Sequence, residues 1–164
     1  MQNPDLVFDT LLPRIKNARR LAIVGIGDEL NIPDRLGMYT ARELGRQHLP
    51  GVVVFYAGTV PESVTAPLRR YRPEHVLFLD AADMGARPGT IAVIEPERVH
   101  ASLVSTHVLP LSVVMNYLEQ ETGAGVTLLG IQPDITGFDK ELSDEDMAYL
   151  ERNIQLLVQA LRDR

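Results

Sequence analysis

The sequence predicts an α/β domain: a three-layer sandwich with a mainly parallel five-stranded sheet, helices on both faces and one antiparallel edge strand. Three observations carry this prediction. Five strand-sized runs rich in Val, Ile, Leu and Phe punctuate the 164 residues. The runs are continuously apolar rather than alternating, the pattern of strands covered on both faces. Helix-sized stretches separate most of them, as βαβ units require.

Taken in order, an N-terminal helix is expected around Leu6 to Ile15, followed by a strand over Leu21 to Gly27. Asp34 to Gln47 reads as a helix, Val52 to Gly58 as the second strand, Glu62 to Tyr71 as a helix and His75 to Ala81 as the third strand. The next connection, Ala82 to Gly89, holds Asp83, Gly85, Pro88 and Gly89, too many turn formers for a crossover helix. The strand after it, Thr90 to Glu95, is therefore expected at an edge and antiparallel to its neighbour. Glu97 to Val104 and Leu111 to Thr122 read as helices, the second ending at Gly123 with Leu111, Val114, Met115 and Leu118 on one stripe. Val126 to Gln132 is the last strand. Ser143 is a plausible N-cap for a final helix, with Asp144, Glu145 and Asp146 in its first turn and Met147, Leu150, Ile154, Leu157, Val158 and Leu161 at helical spacing.

Composition narrows the function. Nothing reads as a linker, a repeat or a low-complexity tract, so one domain over 1–164 is expected, of a size that folds without disulfide or structural metal. The absence of cysteine removes thiol nucleophiles, thiolate zinc sites and iron–sulfur ligation, and leaves oxygen and imidazole as the strong metal ligands. A net charge of −6 argues against nucleic acid as a partner. The start of the chain lacks a basic segment followed by an apolar one, so a cytoplasmic protein is expected. Val99 to Leu118 contains no Asp, Glu, Lys or Arg, but its histidines, serines, Thr106 and Asn116 make it too polar for membrane insertion. With one self-sufficient core, a monomer is expected.

In open α/β sheets ligands bind beyond the carboxyl ends of the strands, so the polar residues that follow each apolar run are the first candidates. The loop Gly25-Ile-Gly27-Asp28-Glu29 is not a dinucleotide fingerprint. Its third glycine position holds Leu30, and two acids stand where a pyrophosphate needs backbone amides. There is no Walker A run and no GxSxG elbow. What the strand ends offer is Asp34, Asp80 and His107, two carboxylates and an imidazole, a set that suits zinc, nickel or another borderline divalent ion with open positions left over. Each has a plainer role open to it: Asp34 as a helix cap, Asp80 as an acceptor for loop amides with Asp83 competing, and His107 as a helix-entry residue bonded to backbone. His48, His75 and His100 lie in charged or helical-surface contexts and are weaker candidates.

At these loops the sequence resembles the [NiFe]-hydrogenase maturation endopeptidases. The resemblance runs through LAIVGIGDELNIPDRLG (Leu21 to Gly37), FYAGTVPE (Phe55 to Glu62), VLFLDAADMGARPG (Val76 to Gly89), STHVLPLSVVMNYL (Ser105 to Leu118) and LGIQPDITGF (Leu129 to Phe138), in family order over most of the chain. The last three segments are nearest the branch that serves formate-hydrogenlyase-type and related energy-converting hydrogenases. The resemblance implies a peptidase that removes the C-terminal extension of a hydrogenase large-subunit precursor after nickel insertion. It also implies that Asp34, Asp80 and His107 are both metal ligands and catalytic residues, and that they bind nickel carried by the precursor, a site in which zinc or cadmium can substitute. The chain departs from the family pattern at Asp28 (family Asn), Pro33 (Asp), Arg35 (Gly) and Tyr56 (Asp). A non-catalytic module that binds nickel or a hydrogenase subunit is the alternative these departures leave open; a small-molecule α/β enzyme is a third.

Overall fold

The structure is a computed structural model, and it describes residues 4–95 and 111–164. The chain runs α1 (Pro4–Ile15), β1 (Leu21–Ile26), α2 (Leu36–Arg46), β2 (Val52–Gly58), α3 (Thr65–Tyr71), β3 (His75–Ala81), β4 (Ile91–Ile94), α4 (Leu111–Thr122), β5 (Gly125–Ile131) and α5 (Asp144–Asp163). Two 3-10 turns, Ile32–Asp34 and Pro61–Val64, introduce α2 and α3. The expected helix over Glu97 to Val104 lies outside the described residues, as do His100 and His107.

The strands form one sheet in the order β2-β1-β3-β5-β4. β1 pairs in parallel with both β2 and β3, and β3 with β5. β4 pairs antiparallel to β5 at the edge, as the turn-rich connection before it requires. Consecutive residues of the central strands serve opposite faces. Leu21, Ile23, Leu77 and Leu79 pack with Leu11, Ile15, Leu44 and Leu157 of α1, α2 and α5. Ala22, Val24, Val76 and Phe78 pack with Leu68 of α3 and with Leu111, Val114 and Leu118 of α4. Both faces are dry, which is why these strands read as unbroken apolar runs.

Helix boundaries follow local chemistry. The Ser143 hydroxyl accepts the Asp146 amide at 3.1 Å and starts α5 where the capping signal placed it. The helices expected to begin at Asp34 and Glu62 instead start as 3-10 turns with Pro33 and Pro61 near the front, and continue as α-helix from Leu36 and Thr65. A proline fixes φ and removes a donor, so it suits a tight entry turn. The last strand begins one residue earlier than expected, at Gly125, and ends at Ile131.

This topology fixes where a site can lie. From β1 the chain crosses along one face through α2 to β2, then returns along the other face through α3 to β3 on the far side of β1. The winding therefore reverses between β1 and β3, and the crevice beyond their carboxyl ends is where sheets of this kind bind ligands.

Candidate active site

Asp34 reaches that crevice through the turn that follows β1. Gly27 continues the strand with φ +133°, a conformation rarely adopted by other residues, and its amide donates to the Gly58 carbonyl at 2.8 Å, tying the loop to the end of β2. A Cβ at Gly27 would run into the Asp34 carbonyl. The chain then turns through Asn31, whose carbonyl accepts the Asp34 amide at 3.0 Å. Asp34 is buried, and its Oδ2 accepts the Asp28 amide at 2.7 Å, so the carboxylate is turned back onto the strand end. The plainer role open to Asp34, as a helix cap, is not the one seen: the N-cap position of α2 is Arg35, which makes no side-chain cap bond.

Asp80 is the sixth of seven residues in β3, completely buried and opposite Gly130 of β5. The start of α2 is brought onto it by Gly37. A Cβ there would lie 3.0 Å from the Asp80 Cα and would collide with the carbonyls of Ile26 and Leu79. Only a residue without a side chain lets the first turn of α2 sit on the ends of β1 and β3, and that contact draws the Asp34 turn and Asp80 into one region. Desolvating carboxylates is costly, so two of them at buried positions around one crevice mark a place where ion binding or chemistry is expected.

The segment after Asp80 is held by a residue the sequence reading did not single out. Gln132 is buried just beyond β5, and its Oε1 accepts the Met84 amide at 2.6 Å and the Ala86 amide at 3.4 Å. Its Nε2 donates to the Pro133 carbonyl at 3.1 Å and to Asp83 Oδ1 at 3.3 Å. One side chain thus pins the connection between β3 and β4 to the end of β5. The available signal was an amide at the end of an apolar run followed by proline. Asp83 itself is exposed and also accepts the Gly85 amide, an Asx turn that accounts for it locally.

Of the five candidate ligands and alternates with described positions, Asp34 and Asp80 are brought to the crevice, whereas Asp83, His48 and His75 are not part of it. His107, the third member of the trio, lies outside the described residues, and among the described residues no three His, Cys, Asp or Glu side chains could together hold a metal. His48 is exposed just after α2 with φ 48°. His75 was expected in a charged or helical-surface context, but it is buried at the opposite end of the sheet, where its Nε2 and Thr127 Oγ1 are 2.9 Å apart. Burial, reinforced by the charge of Arg14, lowers its pKa from 6.5 to about 4. Tyr56, one of the departures, lies over α2 rather than in the crevice, with its hydroxyl against Gly45 and the Arg42 guanidinium 5.8 Å from its ring centre.

The fold is an α/β sheet with two buried acids at its strand ends, and comparison with known proteins identifies its class. The family model for hydrogenase maturation protease matches residues 38–160. A candidate hydrogenase maturation protease of Methanocaldococcus jannaschii is 31% identical over 163 residues, covering 94% of this chain and 96% of its own length. The hydrogenase 3 maturation protease of Escherichia coli is 34% identical over 114 residues, covering 69% of this chain and 72% of its own. Among solved structures, the [NiFe] hydrogenase maturation protease HycI from Thermococcus kodakarensis superposes with a TM-score of 0.78 at 30% identity, covering 93% of this chain and 99% of that one. The chain belongs to the hydrogenase maturation protease family and is a peptidase of that family.

Proposed function

We propose that this protein is the endopeptidase that removes the C-terminal extension of a [NiFe]-hydrogenase large-subunit precursor once nickel has been inserted. What supports this reading is the burial of Asp34 and Asp80 at the carboxyl ends of β1 and β3, within a chain of the hydrogenase maturation protease family. In this reading Asp34, Asp80 and His107 complete the coordination of the nickel that the precursor carries, and so dock its tail in the crevice. Nickel held there would supply Lewis-acid chemistry toward the scissile carbonyl or the attacking water, while Asp34, Asp80 and His107 would orient the precursor tail. In this reading one of the two carboxylates serves as general base, and Asp80 is assigned that role. The likeness to the hydrogenase 3 maturation protease supports a substrate from the formate-hydrogenlyase-type branch. Zinc or cadmium in place of nickel would occupy the same three ligands. No helix among the described residues is long and apolar enough to cross a membrane, in keeping with action on a precursor in the cytoplasm.

The experiment is reconstitution with purified precursor, with and without nickel, followed by intact-mass analysis. A shortened large subunit and a released peptide are expected only with nickel-loaded precursor. Changing Asp34, Asp80 or His107 to Ala abolishes both products. Equal cleavage of nickel-free precursor would falsify the gating role of nickel. Binding of precursor without any shortening would instead assign the chain to the non-catalytic alternative.

A further inference from the structure

On the α2 side of Asp34, a cleft of about 470 Å³ opens between the start of α2 and the 133–142 segment that follows β5. Pro33 and Arg35, the chain neighbours of Asp34, line it, so the cleft lies directly beside the Asp34 turn. Ile32, Leu36, Pro133, Leu142 and Met147 give it apolar walls. Its rim carries cations, and each one sits on an anion: Arg35 with Glu141 at 2.6 Å, Lys140 with Asp134 at 3.2 Å, Arg42 with Glu29 and Arg46 with Glu43. A charged group entering such a cleft gives up hydration and finds no unspent partner, whereas an apolar side chain loses nothing. Both flanking segments also present large apolar side chains to solvent, Leu30 on one and Phe138 on the other, each 95% exposed.

We propose that this cleft is the subsite for an uncharged, apolar side chain of the precursor segment next to the scissile bond, and that the Arg35–Glu141 pair, which spans its walls, sets its width. The proposal rests on the endopeptidase reading above and makes position 35 a specificity determinant. Arg35 comes from the turn after β1 and Glu141 from the segment after β5, 106 residues apart in sequence, so the pair joins two walls that no backbone hydrogen bond among those described connects. Where the resemblance places glycine at 35, no side chain could make this bridge.

Steady-state processing of nickel-loaded precursor tests it. Leu142→Trp, which fills the cleft, raises KM at least tenfold with a much smaller loss of kcat. Arg35→Glu and Glu141→Arg each raise KM about fivefold or more, and the charge-swapped double variant recovers most of that loss, a rescue that simple misfolding would not produce. Replacing the apolar precursor residue nearest the cut with Asp raises KM for the wild-type enzyme by a similar factor, and this arm needs no folded variant. Normal cleavage with unchanged KM in Leu142→Trp and on the Asp-bearing precursor overturns the cleft assignment alone. Absence of cleavage by the wild-type protein overturns the endopeptidase reading, and the cleft assignment falls with it.

Discussion

The two ends of the central sheet both bury polar side chains, and the contrast between them separates scaffold from site. At the amino end, His75 opens β3 and faces Thr127 on β5, and Gly125 beside it leaves room for the ring, since a Cβ there would lie 2.8 Å from Cε1. The imidazole and the hydroxyl satisfy each other inside one sheet, and Glu74 just before them accepts the amides of Arg19 and Arg20, closing the end with backbone contacts. At the carboxyl end, Asp34 comes from the turn after β1 and Asp80 from β3, and both are buried beside the point where the winding of the sheet reverses. Burial of a polar group is therefore not itself a sign of function. The distinguishing feature is whether the fold encloses it between paired strands or delivers it to a crevice.

This contrast predicts a double dissociation. The largest effect is expected from Asp80→Asn, which keeps the shape of a fully buried side chain but removes its charge. Precursor cleavage falls about a hundredfold or more while the thermal midpoint holds or rises, because buried charges at sites are kept at the expense of stability. A parallel fall in midpoint and activity would make Asp80 a structural residue like His75. Gly37→Ala follows. Its Cβ meets backbone at the ends of β1 and β3, which cannot rotate aside, so a loss of about 3 kcal/mol in denaturant titration is expected together with lost processing. If activity survives in the folded fraction, the close approach of α2 is not what holds the two acids together.

The smallest effect lies at the amino end and concerns pH. The unfolded chain binds a proton at His75 below about pH 6.5, whereas folded His75 remains neutral down to about pH 4. Below pH 6.5 the unfolded state therefore holds the extra proton. Stability contributed by His75 is intact above that value and declines as pH falls toward 4, by at most about 3 kcal/mol. Urea titrations of wild type and His75→Phe between pH 7 and 4.5 check the sign: the difference between them should shrink as the solution becomes more acidic, with cleavage per folded molecule at neutral pH unaffected. A pH-independent difference would mean that the folded ring takes up its proton over the same pH range as the unfolded chain, and so is not held neutral by burial.

Much of the fold was legible in local sequence because both faces of the central strands are dry. Runs such as Leu21 to Ile26 and His75 to Ala81 have no solvent side on which polar residues could break the pattern. The antiparallel edge was legible from the turn formers between Asp83 and Gly89, which leave no room for a crossover helix. Helix entries were less so, because Pro33 and Pro61 favour tight 3-10 turns that a helical periodicity does not reveal. Of the candidate site, the positions of Asp34 and Asp80 at strand ends were legible from the apolar runs before them, and the capping role open to Asp34 could be discarded only once the Asp28 amide was seen to hold its carboxylate. Gln132 and the Arg35–Glu141 cleft were not legible, since their partners lie 46 to 106 residues away.

What the sequence alone determined is the set of local preferences: which segments are strands, where α5 is capped, which metal ligands a cysteine-free chain can offer, and the motif order that marks its family. The meeting of parts was decided by tertiary structure. Strand order places the ends of β1 and β3 side by side, Gly37 lets α2 descend onto them, and Gln132 ties the loop after Asp80 to β5. Hydrophobic periodicity acts over a few residues and is written in them, whereas the distance between two side chains depends on how every intervening element packs.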